Sequence, residues 1–596
     1  MMNSTTHIEV SWDAAEIRHE LRGAVVQLSQ HCLKLASKWA CEQLIGLEGI
    51  EDDAQITTVP IKMTAQELYS KSLLELGEYA HAAAVLSQAA SHVTVVASPQ
   101  PNLTSFGIFL RAYALYLAGE QRHHQEQLEY KETTAAASKS AARISQGGAL
   151  SKNPFLEQLR NELAREFDCN NLDAFGCYVY GLVLKESLPI QGKHTPNDVL
   201  LQSIRHFPFN WSAWLDYAEL PQNADTNDQL HREFGSHYMY HFYTAHCLVQ
   251  RQQYEASIQV HDKLLQPSGA LFTNSPYIAT KIAVAHYHLR EFHLAQHCFV
   301  QLQSRHAYRL DEMDTYSNIL YVQNQSVALS QLAHNAMHVD KYRPETCCIV
   351  GNYYSLKGIR TKAIVYFQRA LKLNPHYTGA WTLMGHEYVE LKNTPAAMEA
   401  YRQAADISPQ DYRAWYGLGQ AYEILGMSLY ALYYYRKACS VRPYDARMWS
   451  AVAGCYLQLG KRAEAVRSFE RAAMQNDAEG VATTALAKLY REDGEDDKAA
   501  RCFWQHLQLR YLATVMHPSE QPSIQDIVQA IPVQSTEATA LLFLAHHYVT
   551  SGELETAVLC ATKLLEYPGP EKEEGKAVLR EIRSRSTSSV GATPSF

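Results

Sequence analysis

The sequence is short of the features that usually announce chemistry. Its twelve cysteines include no CxxC pair, and only Cys347 and Cys348 are neighbours. Thiols this dispersed read as small buried apolar residues of a reducing compartment, not as a disulfide framework. No apolar run approaches the roughly 20 residues of a membrane-spanning helix. The opening MMNSTTHIEVSWDAAEIRHEL is polar where a signal peptide carries an apolar stretch, so a soluble intracellular chain is expected. Positive charge is also scarce, with 53 basic against 62 acidic residues and a net charge of −9. Neither a phosphate backbone nor an anionic membrane is drawn to such a surface, so no nucleic-acid or membrane partner is expected.

Catalytic signatures are missing too. No GxSxG or GxGxxG occurs, and GLGQAY at 417–422 belongs to a repeat. HLAQH at 293–297 spaces two histidines as a zinc helix does, but it lacks the glutamate of HExxH; His237 and His241 share the spacing and the deficit. GCYLQLGK at 454–461 fails as a phosphate loop, with five residues between its glycines and Arg462 where Ser or Thr would ligate magnesium. The expectation is no catalytic residue, no metal, no cofactor and no enzyme.

What the chain does have is a period. Stepping by 34 from Trp381 gives seven registers without insertion: Ala279, Met313, Cys347, Trp381, Trp415, Trp449 and Thr483. Four residues on, every register has a small residue, among them Gly351, Gly385, Gly419 and Ala453. Seven on, five registers carry a tyrosine, including Tyr388, Tyr422 and Tyr456; sixteen on, the same five carry alanine; twenty on, a ring returns, as in Tyr401 and Tyr435. Gly358, Gly426, Gly460 and Gly494 mark a turn between two helices, and Pro375, Pro409 and Pro443 close the unit. Offsets of 3, 4 and 7 share one helix face, so each unit is a helical hairpin whose apolar stripe only a neighbouring hairpin can bury. Trp381, Gly385, Tyr388, Trp415, Gly419, Tyr422, Trp449 and Tyr456 are therefore expected as the structural repeat core.

This pattern resembles the tetratricopeptide repeat, and the expected fold is all-α, a helical solenoid or superhelix of such repeats. Weaker copies lie at Leu541–Ala557, at Tyr240, Tyr243, Ala256 and Val260, and at 68–89. The expected organisation is an N-terminal helical region over 1–120, a polar linker over 121–154, degenerate repeats over 155–275 and seven tandem repeats over 276–513. An insertion loop with one short helix over 514–535, a final repeat over 536–570 and a charged end with a disordered tail over 571–596 follow. In this repeat geometry the residue five after each anchor faces a concave groove: Asn352, His386, Gln420, Gly454 and Lys488, with Glu387, Glu390 and Glu423 nearby. Cys348 and Leu383 stand where a carboxylate-clamping groove wants Lys and Asn, and the acidic rim suits a cationic ligand instead.

Five stretches are more particular: FLRAYALYLAGE (109–120), DAFGCYVYGLVLKE (173–186), FPFNWSAW (207–214), RPETCCIVGNYYSLKG (343–358) and GAWTLMGHEYVELKN (379–393). On these the chain resembles the subunit 8 family of the anaphase-promoting complex, the cell division cycle protein 23 family. The resemblance implies a scaffold in a ubiquitin ligase of nucleus and cytoplasm, catalysis residing in other subunits. It further implies a homodimer through the N-terminal repeats, contacts with related repeat subunits, and a groove that receives the basic C-box of propeller activators. It places that C-box on Asn352 of GNYYS and Glu387 of GHEY. The other reading is an unrelated repeat adaptor for peptide tails, a chaperone or trafficking cofactor. Thr593-Pro594 in the tail is a proline-directed phosphorylation motif.

Overall fold

The computed structural model describes residues 14–47, 64–91, 104–137, 153–187, 193–221, 224–265, 272–475, 477, 480–514 and 524–590. Among them there is no strand, and helices follow one another in antiparallel pairs. The chain divides into two units, Met1–Ile319 and Leu320–Phe596.

The second unit contains the most regular repeats. Helices Pro344–Leu356 and Arg360–Leu373 form one hairpin, Thr378–Glu390 and Thr394–Ile407 the next, and Tyr412–Ile424 and Ser428–Val441 a third. Two more follow, Ala446–Gln458 with Arg462–Met474 and Val481–Glu492 with Asp496–Thr514. The small residue four after the anchor is a contact point. A Cβ on Gly385 would stand 2.5 Å from the Tyr401 ring, and one on Gly417 of the next hairpin 2.6 Å from the same ring. Tyr401 is thus fully buried between two glycines, and Tyr435 packs on Gly419 in the same way.

The anchor tryptophans are half-buried, and each has a polar partner. The indole N–H of Trp381, Trp415 and Trp449 donates to the carbonyl of Pro375, Pro409 and Pro443, at 3.0, 2.8 and 2.8 Å. The proline that ends one hairpin thus also lends its backbone carbonyl to the anchor tryptophan of the next. Tyr388, Tyr422 and Tyr456 are part-buried beside these cores. The turn is left-handed in all seven registers, at Arg290, Asn324, Gly358, Lys392, Gly426, Gly460 and Gly494, with φ between 56° and 76°.

The first unit uses the same devices with other residues. Trp214 donates to the Pro208 carbonyl at 2.7 Å, as the later anchors do. Helices Tyr238–Gln250 and Tyr254–Leu265 form the repeat expected at Tyr240–Val260, but the buried face lies one residue on from Ala256 and Val260. Ser257 and His261 take the places of alanine and ring, Ser257 Oγ donating to the Ala245 carbonyl at 3.2 Å and His261 Nδ1 to the Ser257 carbonyl at 2.9 Å. The Lys34–Gly46 helix packs against Trp211–Glu219 and Pro276–His288. Its Trp39 stacks on Trp211 with ring centres 4.9 Å apart, and Lys38 and Glu42 pair with Asp311 and Arg309 at 2.7 and 3.0 Å.

Two stretches marked by polarity are helical in the parts that are described. The expected linker at 121–154 is helical at its start, where Ser105–Ala137 runs on unbroken. Glu, Gln, Lys and Ala favour helix whether or not they bury anything, and Arg122 pairs with Glu126 one turn on at 3.2 Å. Of the expected charged end and disordered tail, Glu571–Val590 is a helix that buries Val578 and Ile582 on one face. Residues 138–152 and Thr593-Pro594 lie outside the described residues. Within the 514–535 insertion, the Ile524–Ala530 helix buries Ile527 and Val528.

Candidate peptide-binding site

In the second unit, the first helices of successive hairpins present the residues eight and nine after their anchors to a common cavity of about 570 Å³. Its lining combines Tyr321, Val389 and Glu423, spaced by the repeat, with Glu390 and Ile424 one residue further on. His386, Glu387 and Gln420 complete it. Three carboxylates on two helices therefore converge on one cleft.

Each carboxylate is held differently. Glu387 is 5% exposed. The Ser355 hydroxyl donates to its Oε1 at 2.6 Å, and Arg360 Nη1 donates to its Oε2 at 3.4 Å. Burial raises its carboxyl above the ordinary range, opposed by the Ser355 hydrogen bond and the Arg360 charge. Glu390 is 58% exposed in its side chain and lies 3.0 Å from Arg360 Nη2. Glu423 accepts from neutral groups, the Tyr435 hydroxyl at 2.7 Å and Gln458 Nε2 at 3.2 Å. His386 Nδ1 is hydrogen-bonded to the Tyr401 hydroxyl at 2.8 Å, which ties this lining residue to the hairpin core.

Of the two residues expected to take the C-box, Glu387 lines the cavity, although it stands one residue past the groove-facing His386. Asn352 is 2% exposed and lies one turn before Ser355 on the helix whose hydroxyl reaches Glu387. Among the other groove positions, His386 and Gln420 reach the cavity, Gly454 faces open space and Lys488 is exposed. Sequence reasoning missed Ser355, Arg360, Tyr321 and Gln458. The signal was present: Tyr321, Ser355, Val389 and Glu423 occupy one register position, and two of them break its apolar character. His293 and His297 are exposed on either side of buried Ala295.

The geometry can be set beside known proteins. Residues 16–283 match the family model described as anaphase promoting complex subunit 8 / Cdc23. Tetratricopeptide-repeat models match 344–377, 385–426, 412–445 and 482–514. Anaphase-promoting complex subunit 8 of Arabidopsis thaliana is 38% identical over 413 residues, 64% of this chain and 66% of that protein. The protein of the same name from Dictyostelium discoideum is 37% identical over 431 residues, 64% of this chain and 69% of its own length. Subunit CDC23 of Saccharomyces cerevisiae is 29% identical over 451 residues, covering 64% and 70%. The alignments thus span about two thirds of these relatives. The crystal structure of the APC/C hetero-tetramer Cut9-Hcn1 shares the fold, with a TM-score of 0.50 at 14% identity over 96% of this chain and 97% of the other. With tetratricopeptide-repeat matches between 344 and 514 and relatives of this likeness in plant and slime mould, the chain belongs to the anaphase-promoting complex subunit 8 / Cdc23 family.

Proposed function

We propose that the chain is a non-catalytic scaffold of the anaphase-promoting complex ubiquitin ligase and that the cleft at Glu387 receives the basic C-box of a propeller activator. Family membership supports the scaffold role. The observation that carries the site is the convergence of Glu387, Glu390 and Glu423 on one cavity beside the apolar Val389 and Ile424. Carboxylates at these depths suit a forked, permanently charged guanidinium, and apolar walls suit the side chains next to it. Partners on this reading are related repeat subunits, the activators, and a second copy of the chain through its N-terminal repeats, in nucleus and cytoplasm. A carboxylate clamp of the chaperone-adaptor type finds no support, because Cys348 is fully buried at one of its positions.

The test is a C-box peptide titrated into the full chain and into Glu387→Gln. Glutamine keeps the Ser355 contact and the shape, whereas a lysine here would be buried against Arg360. Binding is expected to weaken about tenfold or more while the melting temperature holds. Equal affinity in both proteins would remove Glu387 from the site.

A further inference from the structure

Arg360 already does to the cleft what a ligand arginine would have to do. It opens the Arg360–Leu373 helix and points its guanidinium across the neighbouring first helix. Nη1 lies 3.4 Å from Glu387 Oε2 and Nη2 lies 3.0 Å from Glu390 Oε2. One of these carboxylates is buried and the other more than half exposed, so the fork bridges a buried and an exposed member of the cleft's lining. Two of the three acidic side chains are therefore matched by a cation the chain itself supplies. The third, Glu423, is held by the neutral donors of Tyr435 and Gln458.

We propose that Arg360 is an internal surrogate for the ligand's arginine, and that a peptide guanidinium binds Glu387 and Glu390 by displacing it. Three observations carry this. The pairing is forked onto two carboxylates, which is how a guanidinium rather than an ammonium is recognised. The Arg360 side chain remains 29% exposed, so its charge can swing into solvent without crossing the core. And a second cation on the same two carboxylates beside an undisplaced Arg360 would meet like charge at the buried Glu387, where water screens little. Arg360 then tunes affinity: the apparent dissociation constant is the intrinsic one divided by the fraction of molecules whose fork is open. The inference rests on the Glu387 reading and deepens it, by giving the ligand's guanidinium a competitor within the chain.

The probes are a labelled, capped peptide bearing one arginine followed by two leucines, and its twin with citrulline, which keeps the shape without the charge. Both are titrated by fluorescence polarisation into the full chain, Arg360→Met and Arg360→Lys, with thermal melts of each. The arginine peptide is expected to bind Arg360→Met about fivefold tighter than the unaltered chain. Arg360→Lys should fall between them, because it keeps the charge and loses the fork. The citrulline peptide should be weak throughout. If arginine beats citrulline on every protein but Arg360→Met binds no tighter or more loosely, Arg360 is an organising clamp; the surrogate is overturned and the Glu387 site stands. If no folded protein tells arginine from citrulline, the site itself fails and the inference with it. Should Arg360→Met not fold, an Arg360→Lys affinity equal to or below that of the unaltered chain overturns the proposal.

Discussion

At Gly385 and Gly454 the same residue type answers to opposite physics. Gly385 is the surface on which Tyr401 lies, and its missing Cβ is the space the ring fills. Gly454 sits in the interior of the Ala446–Gln458 helix with nothing within 4 Å of an added Cβ. Gly385→Ala should destabilise the chain by about 1–3 kcal/mol, since the overpacked ring must leave its well. Gly454→Ala should stabilise it by about 0.5–1 kcal/mol, because nothing opposes the gain in helix propensity. Urea unfolding of the two variants reads both signs, and matching shifts would mean that the small positions are not contact points. At this scale the sequence was legible where a residue type serves one end. Glycine and alanine four after the anchor, and rings twenty after it, could be read as a packed pair from spacing alone. The carbonyl of Pro409 accepting from Trp415 could not, because proline already had a sufficient reason to be there as a helix stop.

At the scale of the element, the hairpin turn is more uniform than its residues. Lys392 and Arg290 adopt the left-handed conformation that glycine adopts elsewhere, so the stacked helices on either side dictate the turn. The repeat at 238–265 shows why degenerate copies are misread by a residue. Ser257 and His261 look like surface residues, yet backbone carbonyls satisfy both and let them be buried. That substitution has a consequence in acid. Burial pushes His261 down to about 4, and His237 and His246 of the same unit likewise. Above the ordinary histidine range both states are neutral and stability is complete. As pH falls from about 6.5 towards 4, the unfolded chain takes up protons that the folded chain refuses, and stability is lost. For the fully buried His261 the loss at pH 5 is about 2 kcal/mol. His261→Phe, which restores the ring type of Phe299 and Phe367, should flatten the decline in unfolding free energy, measured with urea, between pH 7 and pH 5 by that amount. A slope unchanged in the variant would show that His261 is not the group responsible. The long Ser105–Ala137 helix carries the complementary lesson: polarity predicts what is not buried, and says little about what is not helical.

For the molecule as a whole, periodicity made the class of fold legible, because a hairpin with one apolar stripe has no stable solution except a stack. The return of Lys34–Gly46 onto later helices of its unit left no trace in spacing, since Trp39 on Trp211 is a contact between residues of unrelated register. The candidate site was half legible. Glu387 could be picked from its motif, but the Ser355 hydroxyl and the Arg360 guanidinium that set its electrostatics come from another hairpin, and only the stack brings them together. The scaffold reading and the cleft reading meet in one measurement: purification of the tagged chain and of tagged Glu387→Gln from cells, with identification of what accompanies each. Both should bring down related repeat subunits of the ligase, and only the unaltered chain should retain the propeller activator. Recovery of chaperone or trafficking proteins without ligase subunits, or equal retention of the activator by the two proteins, would contradict a ligase scaffold that grips its activator through Glu387.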